Sequence, residues 1–576
     1  MLTCVCIAIV ALGARTVQVQ LLDGDALAKA ADAQQRVSVP LFAPRGPIVD
    51  RTGQVLALSY QAVTVGVWPA RIPDRTAFSQ ALSKYANETP AAIEQTMGGS
   101  ALYVYAARRL NPSVWARITK DPVLGPLVKS HAIEPQQEPR RVYPKGGLAA
   151  QVIGVNGAGL SGVELSRNNV LTAHDGLASV SKANDRPNGD THWARVLHLR
   201  EPAPGKAVQL TLDTRIQSLV QKTIAETKAQ WHAKSVTAVV LDAHTGGILA
   251  MASAPGVPAA GYRAGNAQEW RLRAITDLYE PGSTFKLVTF MGALQEGDIT
   301  PQTPFRVPWY YTLFRGTSNA RSIDDAHSHP IESWTATDIL AHSSNVGTIM
   351  IAKTRLGQTA LQNWIDLTGF GKRTGVDLPG EEPGQTLPRD KWYGTAILNE
   401  PIGEGIAVTP LQMAALYGSI ANGGEWVQPH VTAGIGGKPT TGWKTRQLVS
   451  RHVAAELRTM LTAVVDLPNG TGVKARIPGY SVAGKTGTTP KYDSKHGAAA
   501  YCDSSVKQCE YQTSFVGFAP ATDPRFVALV MVDGAKGADG KSNGLEGGDV
   551  AAPAFKTIAQ GILQVLQVKP DRPGQL

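Results

Sequence analysis

The sequence predicts an α+β fold, in which most of the C-terminal two thirds forms one large domain. Near the start of this region, apolar runs at 236–241 and 248–252 flank the turn His244–Gly247, which indicates a β-hairpin. Near its end we predict a strand at 526–532 and an apolar-faced helix at 553–565. Because strands at both ends enclose mainly helical stretches, we expect the two ends of the domain to meet in one sheet.

Length and composition exclude several classes of protein. The chain has 576 residues, enough for roughly two to four domains. Its 43% hydrophobic and 18% charged residues are typical of a folded protein, not of a disordered one. The glycines and prolines follow no Gly-X-Y period, which excludes collagen. The net charge of +10 is spread along the chain without a block of five or more like charges, so we predict no nucleic-acid partner.

The chain has four cysteines, too few for a disulfide scaffold, and their spacing does not match a zinc site. Cys4 and Cys6 lie in an apolar N-terminal run, whereas Cys502 and Cys509 lie close together in a polar stretch. The second pair closes a small loop if that stretch is extracytoplasmic, and otherwise provides two free thiols. The surrounding segment, 491–512, is either a mobile flap or a passive insertion.

The N-terminal run at 1–14 is uncharged and mostly apolar. Fourteen helical residues span about 21 Å, less than the ~30 Å hydrocarbon core of a bilayer. The run is a membrane anchor over 1–16 whose first turns are missing, a signal peptide cleaved near Ala11–Gly13, or a buried helix. A signal peptide would normally have a basic start, which this run lacks, and a buried helix would normally have a polar face.

A linker is predicted around Pro202 and Pro204. After it come a predicted strand at 208–212 and a helix capped by Asp213 or Thr214 that runs to about 227. We therefore predict a first domain over 17–204, a second over 205–567 and a disordered tail over 568–576.

Three patterns resemble known sites but lack the surroundings that those sites require. Gly479–Thr486 matches a phosphate-binding loop, yet it reads as a strand and opens no helix. Gly540–Gly544 matches a nucleophile elbow but lies in a glycine-rich loop. The residues between Asp324 and His329 include two aspartates and two histidines, which we interpret as a polar loop and not as metal ligands.

One serine–lysine pair has surroundings suited to catalysis. Ser283 and Lys286 lie one helical turn apart where the turn Glu280–Gly282 runs into an apolar helix. The helix N-terminus favours negative charge that develops at the serine. A lysine there acts as a base if burial or a second cation lowers its pKa. The alternative is a capped helix with a surface lysine.

Two further motifs follow in order and favour the catalytic interpretation. Ser343, Ser344 and Asn345 lie at a break between helical stretches at 335–342 and 346–355, and supply hydroxyls and an amide. Lys485–Thr488 lies on a predicted strand and supplies a second cation, two hydroxyls and a glycine that lets a ligand approach. Spacings of about 60 and 140 residues complete a highly specific constellation.

These motifs resemble Ser-x-x-Lys, Ser-x-Asn and Lys-Thr-Gly of the penicillin-binding proteins and serine β-lactamases. The segment Arg45–Gly53 is similar to the first pedestal motif of class B penicillin-binding proteins. Further motifs of the class resemble Arg141–Pro144, Gly159–Glu164 and Thr513–Pro520, so the likeness extends from about 36 to 567. The lead-in to Ser283 and the run after Ser344 resemble the division-type, FtsI-like enzymes; elongation-type enzymes carry Asp where Asn345 stands.

The resemblance implies a transpeptidase domain over 205–567, with an antiparallel sheet flanked by helices. It implies an elongated pedestal, or dimerisation-type, domain over 17–204 and an N-terminal membrane helix. The chain departs from the class pattern at Glu404, where relatives often carry another residue.

The resemblance also implies residue roles. Ser283 attacks the D-Ala–D-Ala carbonyl of a stem peptide, and Lys286, kept neutral by Lys485 and held by Asn345, takes its proton. Ser343 relays a proton to the leaving D-Ala. The remaining predicted substrate and oxyanion residues are Ser344, Thr486, Gly487 and Thr488, with the N–H groups of Ser283 and Thr488 as the oxyanion hole. No metal and no cofactor is implied.

From this resemblance we expect a peptidoglycan D,D-transpeptidase of septal wall synthesis that β-lactams inhibit. We expect a single-pass protein of the cytoplasmic membrane with its catalytic domain outside the cytoplasm, and a divisome glycosyltransferase as partner. The alternatives are an elongation-type enzyme, a D,D-carboxypeptidase or β-lactamase, and a non-catalytic scaffold or sensor.

Overall fold

The structure is a computed structural model that describes residues 2–19, 36–156, 159–182, 193–258, 266–313, 315–316, 320–392, 396–491, 510–542 and 544–575. The chain forms two compact units. One comprises 1–47, 58–142 and 170–206, and the other comprises 48–57, 143–169 and 207–576. The segment 492–509, which contains Cys502 and Cys509, lies outside the described residues, so their pairing stays a prediction.

The first unit contains two antiparallel strand groups and short helices. Residues 58–67 pair with Val104–Leu110 and with Ile133–Val142, and a separate sheet joins Arg36–Leu41, Gly176–Lys182 and Trp193–Arg200. Apolar side chains such as Phe78 form its core. The helices of this unit are Leu2–Val17, Arg75–Ser83, Pro90–Met97, Pro112–Ile118 and Leu124–Lys129, with a 3₁₀ turn at Pro69–Arg71.

The unit boundary differs from the contiguous division that we predicted at 204/205. Residues 48–57 and 143–169 belong to the second unit. Ile48–Val49 pairs in parallel with Val208–Leu210. The buried Asp50 carboxylate accepts hydrogen bonds from the N–H and hydroxyl of Thr214 at 3.1 and 2.8 Å. These long-range bonds join an early segment to the second unit, and no local sequence pattern indicates them.

A five-stranded antiparallel sheet organises the second unit. Its spatial order is Ile248–Ala254, Ser235–Asp242, Phe526–Asp533, Tyr511–Ala519 and Ala483–Pro490. The predicted hairpin is confirmed, and the late strand pairs with the early one along its whole length, from Phe526 opposite Asp242 to Asp533 opposite Ser235. The two ends of the domain therefore meet in one sheet, as the strand pattern predicts.

Helices cover the sheet. Thr214–Gln230, capped by Asp213 as predicted, and Gly547–Val565 pack on one face and bury a large apolar core. Each fully buried Phe or Ile there contributes roughly 1.5–3 kcal/mol to stability. Pro410–Ala421 also contacts the central strands. The other helices of this unit are Ala150–Ile153, Gly162–Ser166, Ala267–Trp270, Arg273–Thr276, Lys286–Gln295, Ala336–Ala341, Asn345–Ile351, Gln358–Thr368, Ala396–Asn399 and Arg451–Asp466.

Short strands and turns complete this unit. The helix Asn168–Leu171 is assigned to neither unit, because the boundary between the units falls within it. The strands are Pro304–Val307, Tyr310–Leu313, Arg321–Asp324, Glu332–Thr335, Glu425–Val427, Thr432–Ile435, Lys438–Pro439 and Thr445–Gln447. The 3₁₀ turns are Gly282–Phe285, Arg389–Lys391, Glu400–Ile402, Val473–Ala475 and Pro573–Gln575, and Ala352–Leu356 is a π-helical turn.

The predicted apolar N-terminal segment forms the helix Leu2–Val17. Within the described part of the chain, no helix has both the length and the hydropathy needed to span a membrane.

The C-terminal tail is ordered, so our prediction of disorder over 568–576 is wrong for the described residues up to 575. The Asp571 carboxylate accepts hydrogen bonds from the Ser481 N–H at 2.8 Å and the Thr522 hydroxyl at 2.8 Å. Arg572 forms an ion pair with Asp466 at 2.7 Å. The composition of the tail suggested disorder because composition does not show these partners, which are distant in the sequence.

Candidate active site

The serine–lysine pair lies on a tight turn that continues directly into a buried helix. Ser283 is half-buried in the 3₁₀ turn Gly282–Phe285, and Lys286 begins the helix Lys286–Gln295. Gly282 has φ +53°, and a Cβ there would lie 2.3 Å from the Thr489 hydroxyl oxygen. The turn therefore requires glycine immediately before the serine.

Lys286 is fully buried and hydrogen-bonded to the second motif. Its Nζ donates to Asn345 Oδ1 at 2.7 Å, to Ser343 Oγ at 3.2 Å and to the Ser343 carbonyl oxygen. Burial lowers the pKa of Lys286 to about 7, against the opposing effect of the carboxylates of Asp325 and Glu404. A substantial fraction of this lysine is therefore neutral near neutral pH, as a base must be.

The cause of that low pKa corrects one prediction. We expected the charge of Lys485 to keep Lys286 neutral, but burial is the principal cause. Lys485 is also fully buried, and burial, followed by the charge of Lys286, moves its pKa well below the usual value. Its Nζ donates to Ser343 Oγ at 2.8 Å, so the Ser343 hydroxyl lies between the two amines.

Ser343 has an unusual backbone conformation. Its φ is +59°, which costs a non-glycine residue about 1–3 kcal/mol. It occupies the predicted break, between the helices Ala336–Ala341 and Asn345–Ile351. The strained residue is the one whose hydroxyl contacts both lysines.

The neighbouring Ser344 has a different role from the one predicted. Its side chain is buried, accepts a hydrogen bond from the Gly347 N–H at 2.8 Å and donates to Asp325 Oδ2 at 2.7 Å. Ser344 therefore caps the helix that carries Asn345, and we correct its predicted substrate contact to a positioning role.

The third motif lies on the edge strand Ala483–Pro490, as predicted. The Thr486 hydroxyl donates to Thr471 Oγ1 at 2.9 Å, and the Thr488 hydroxyl accepts from the Gly547 N–H at 2.9 Å. A Cβ on Gly487 would lie 2.5 Å from Ser514 Oγ and 2.9 Å from the Pro281 carbonyl oxygen. We had expected this glycine to make room for a ligand. The described contacts show instead that a side chain here would collide with Ser514 and with the turn that precedes Ser283.

One cavity of about 270 Å³ joins the three motifs. Ser283, Ser343, Asn345, Thr486 and Thr488 line it, and the two lysine amines lie behind them. The other lining residues are Gly282, Ala326, His327, His342, Ile402, Glu404, Thr471, Tyr511, Gly544, Leu545 and Glu546. A half-buried serine beside two buried amines in a cavity of this kind suits acyl transfer.

Comparison with known proteins agrees with this geometry. The penicillin-binding protein transpeptidase domain matches residues 236–560, and the penicillin-binding protein dimerisation domain matches 40–210. The chain belongs to the penicillin-binding protein transpeptidase family. It is 32% identical to PbpB of Mycolicibacterium smegmatis (93% of this chain, 85% of the relative) and 30% identical to the peptidoglycan D,D-transpeptidase FtsI of Escherichia coli K12 (99% and 91%).

A solved structure shows the same fold. Penicillin-binding protein 3 of Mycobacterium tuberculosis, complexed with aztreonam, superposes with a TM-score of 0.68 at 28% identity, over 93% of this chain and 99% of that one. The predicted α+β class with a transpeptidase domain and a preceding dimerisation-type domain is thereby confirmed.

Among the described residues, the weak motifs of this penicillin-binding protein show no separate site. The phosphate-loop match runs into the strand Ala483–Pro490 and opens no helix. Around Gly540 the described residues form turns. No group of three or more potential metal ligands occurs among the residues with described positions.

Asp325 is a functional residue that sequence reasoning missed. We interpreted its surroundings as a polar loop, but Asp325 is buried and accepts hydrogen bonds from Ser344 Oγ at 2.7 Å and the Val346 N–H at 2.9 Å. His329 Nε2 lies 3.0 Å from the same carboxylate. Asp325 holds the second motif in place although it lies 19 residues before Ser344. No periodic pattern in the sequence connects these two residues.

Replacing Asp325 by alanine is expected to destabilise the transpeptidase domain and slow its acylation. The Ser344 hydroxyl and the Val346 N–H would lose the carboxylate that accepts their hydrogen bonds. One hydrogen bond to a charged group contributes about 1.5–3 kcal/mol to stability. Urea unfolding and the rate of penicillin labelling measure the two effects. The matched control is Asp324→Ala, because that side chain is exposed and a change within about 0.5 kcal/mol is expected. Equal effects of both substitutions would contradict the role of Asp325.

Proposed function

We propose that this chain is a serine-type peptidoglycan D,D-transpeptidase that cross-links stem peptides and is inhibited by β-lactams. The observation that carries the proposal is the shared contact of Lys286 and Lys485 with the Ser343 hydroxyl, in the cavity that Ser283 lines. The names of the relatives, which include peptidoglycan D,D-transpeptidases, support the same activity.

In the first step, Ser283 Oγ attacks the D-Ala–D-Ala carbonyl carbon and Lys286 Nζ takes the hydroxyl proton. Because the pKa of Lys286 is lowered to about 7, its amine is available for this transfer. The proton then passes through Ser343 Oγ to the leaving nitrogen, and D-Ala departs. The hydroxyls of Thr486 and Thr488 bind the terminal carboxylate of the substrate, and the N–H groups of Ser283 and Thr488 stabilise the oxyanion.

In the second step, an amine of a neighbouring stem peptide attacks the acyl-enzyme. The attacking amine gives up a proton, which passes through Lys286 to Ser283 Oγ as the ester C–O bond breaks. The new amide is the cross-link. A β-lactam forms the same ester with Ser283 but leaves no departing group, so the adduct persists. Attack by water on the peptidyl ester would make the enzyme a carboxypeptidase, and rapid hydrolysis of the β-lactam ester would make it a β-lactamase.

We further infer a septal role, a position in the cytoplasmic membrane with the catalytic domain outside the cytoplasm, and a divisome glycosyltransferase as partner. The likeness to FtsI over 99% of the chain supports the septal role. The apolar helix Leu2–Val17, with Val10 and Leu12 more than 70% exposed, supports a membrane contact near the N-terminus. A fluorescent fusion to the full chain tests the role: localisation along the lateral wall in place of the septum would favour the elongation-type alternative.

The activity is tested with the full chain, a pentapeptide donor ending in D-Ala–D-Ala and an amine acceptor. We expect release of D-Ala and a donor–acceptor amide, both detected by mass spectrometry and both abolished by prior treatment with penicillin. Release of D-Ala with only hydrolysed tetrapeptide would indicate a carboxypeptidase. Loss of the penicillin adduct within seconds would indicate a β-lactamase. Folded protein that forms neither product nor adduct would support the scaffold alternative.

A further inference from the structure

Glu404, which stands between Gly403 and Gly405, lies in the active-site cavity. It is half-buried and lines the cavity together with Ser283, Ser343 and Asn345. Among the residues that the structure describes, its carboxylate makes no hydrogen bond or ion pair. A carboxylate in this position is available to a bound ligand.

The backbone around Glu404 is attached to the turn that carries the nucleophile. The Gly282 N–H donates to the Gly403 carbonyl at 3.1 Å, and the Gly405 N–H donates to Glu280 Oε1 at 3.3 Å. Gly403 and Gly405 have φ values of +81° and +79°, and a Cβ on Gly403 would lie 2.3 Å from the Gly282 carbonyl oxygen. These contacts fix the position of Glu404 relative to Ser283.

Two further carboxyl groups, Glu280 and Glu400, lie close to Glu404. Glu400 is 2% exposed, and its Oε2 is buried without a hydrogen-bond partner in the described structure. Burial, and then the charge of Glu280, raises the pKa of Glu400 to about 8. Burial and Glu280 likewise raise the pKa of Glu404, whereas Lys286 lowers it. Glu404 is therefore a stronger base than an ordinary carboxylate.

The carboxylate of Glu404 suits a positively charged reactant. In the proposed mechanism the terminal carboxylate of the donor binds at Thr486 and Thr488, and a second carboxylate would repel it. The positively charged reactant is the acceptor amine, which arrives protonated. It must lose a proton before its nitrogen can attack the acyl-enzyme.

We propose that Glu404 binds the ammonium group of the acceptor and takes its proton, so that the neutral amine attacks the Ser283 ester. This inference rests on the proposed transpeptidase function and adds the recognition of the acceptor. One proton of the ammonium passes to Glu404 and a second passes through Lys286 to Ser283 Oγ as the C–O bond breaks. The third stays on the amide nitrogen, so atoms and charge balance.

The test measures how the acyl-enzyme of the full chain partitions between amine and water. The donor is a diacetylated lysyl-D-Ala-D-lactate, which contains no amine, so Glu404 can act on the acceptor alone. One acceptor has a lysine-type amine, with a pKa of about 10.4, as its only amine. The other has only an α-amine, with a pKa of about 7.7–8.0. The amide-to-hydrolysis ratio does not depend on the acylation rate.

At pH 7.8 we expect Glu404→Gln to lower this ratio about 100-fold for the lysine-type amine, the effect of losing a general base. For the α-amine, about half of which is already neutral, we expect a loss of less than about tenfold. Glu404→Asp keeps a carboxylate and should retain more of the ratio than the glutamine variant. The deficit of Glu404→Gln should shrink as pH rises toward the pKa of the lysine-type amine.

Equal ratios in wild type and Glu404→Gln would overturn the inference. An equal loss for both amines would also overturn it, because a change of cavity shape does not depend on the pKa of the acceptor. Wild-type protein that forms no acyl-enzyme would refute the proposed function itself, and this result is separate because it appears before any acceptor is added.

Discussion

Replacing Ser283 by alanine is expected to abolish covalent labelling of the chain by fluorescent penicillin. The substitution removes the hydroxyl oxygen that forms the ester, one helical turn before the buried Lys286. The mass of intact wild-type protein should increase by one β-lactam, whereas Ser283→Ala should keep its unmodified mass. Because the side chain is small, we expect the fold to be retained, as thermal unfolding will show.

The chain offers a matched control for this experiment. Ser179 and Lys182 have the same spacing as Ser283 and Lys286 but lie in the first unit, on the strand Gly176–Lys182. Ser179→Ala should label as wild type does. A full adduct on Ser283→Ala, or its loss in Ser179→Ala, would contradict the assignment of the nucleophile.

Replacing Lys286 by methionine is expected to slow acylation by penicillin about 10²–10⁴-fold, the usual contribution of a general base. Ser283 remains in place, but no amine at this position takes its proton. Methionine fills a similar volume without a charge that burial would penalise, so the protein should stay folded. The second-order rate constant for fluorescent labelling measures the effect. Lys353→Met is the control, because Lys353 is exposed and its Nζ contacts Tyr311 at 3.0 Å.

The pH profile distinguishes a base from a merely structural lysine. Burial lowers the pKa of Lys286 to about 7, so the neutral, reactive form accumulates as pH rises through that value. Wild-type acylation should therefore increase with pH and level off above about 7, whereas the residual rate of Lys286→Met should lack this step. An identical pH step in both proteins would assign it to another group.

Local patterns were sufficient for several elements of the fold. The hairpin, the helix that Asp213 caps, the closing strand and helix, and the break at Ser343 all follow from short-range periodicity and turn chemistry. They are predictable because they depend on residues close in the chain. Thr486 and Thr488, two residues apart on a strand, both line the cavity for the same reason.

By itself, the sequence determined the order of the three motifs and the chemical groups that each supplies. Only the tertiary structure decided how those groups act. It buried Lys286 and so lowered the pKa of its amine, used Ser344 as a helix cap and placed Asp325 behind that cap. It also brought Glu404 into the cavity beside Ser283. Burial and electrostatic coupling depend on segments that are distant in the chain, whereas motifs and periodicity depend on residues that are near one another.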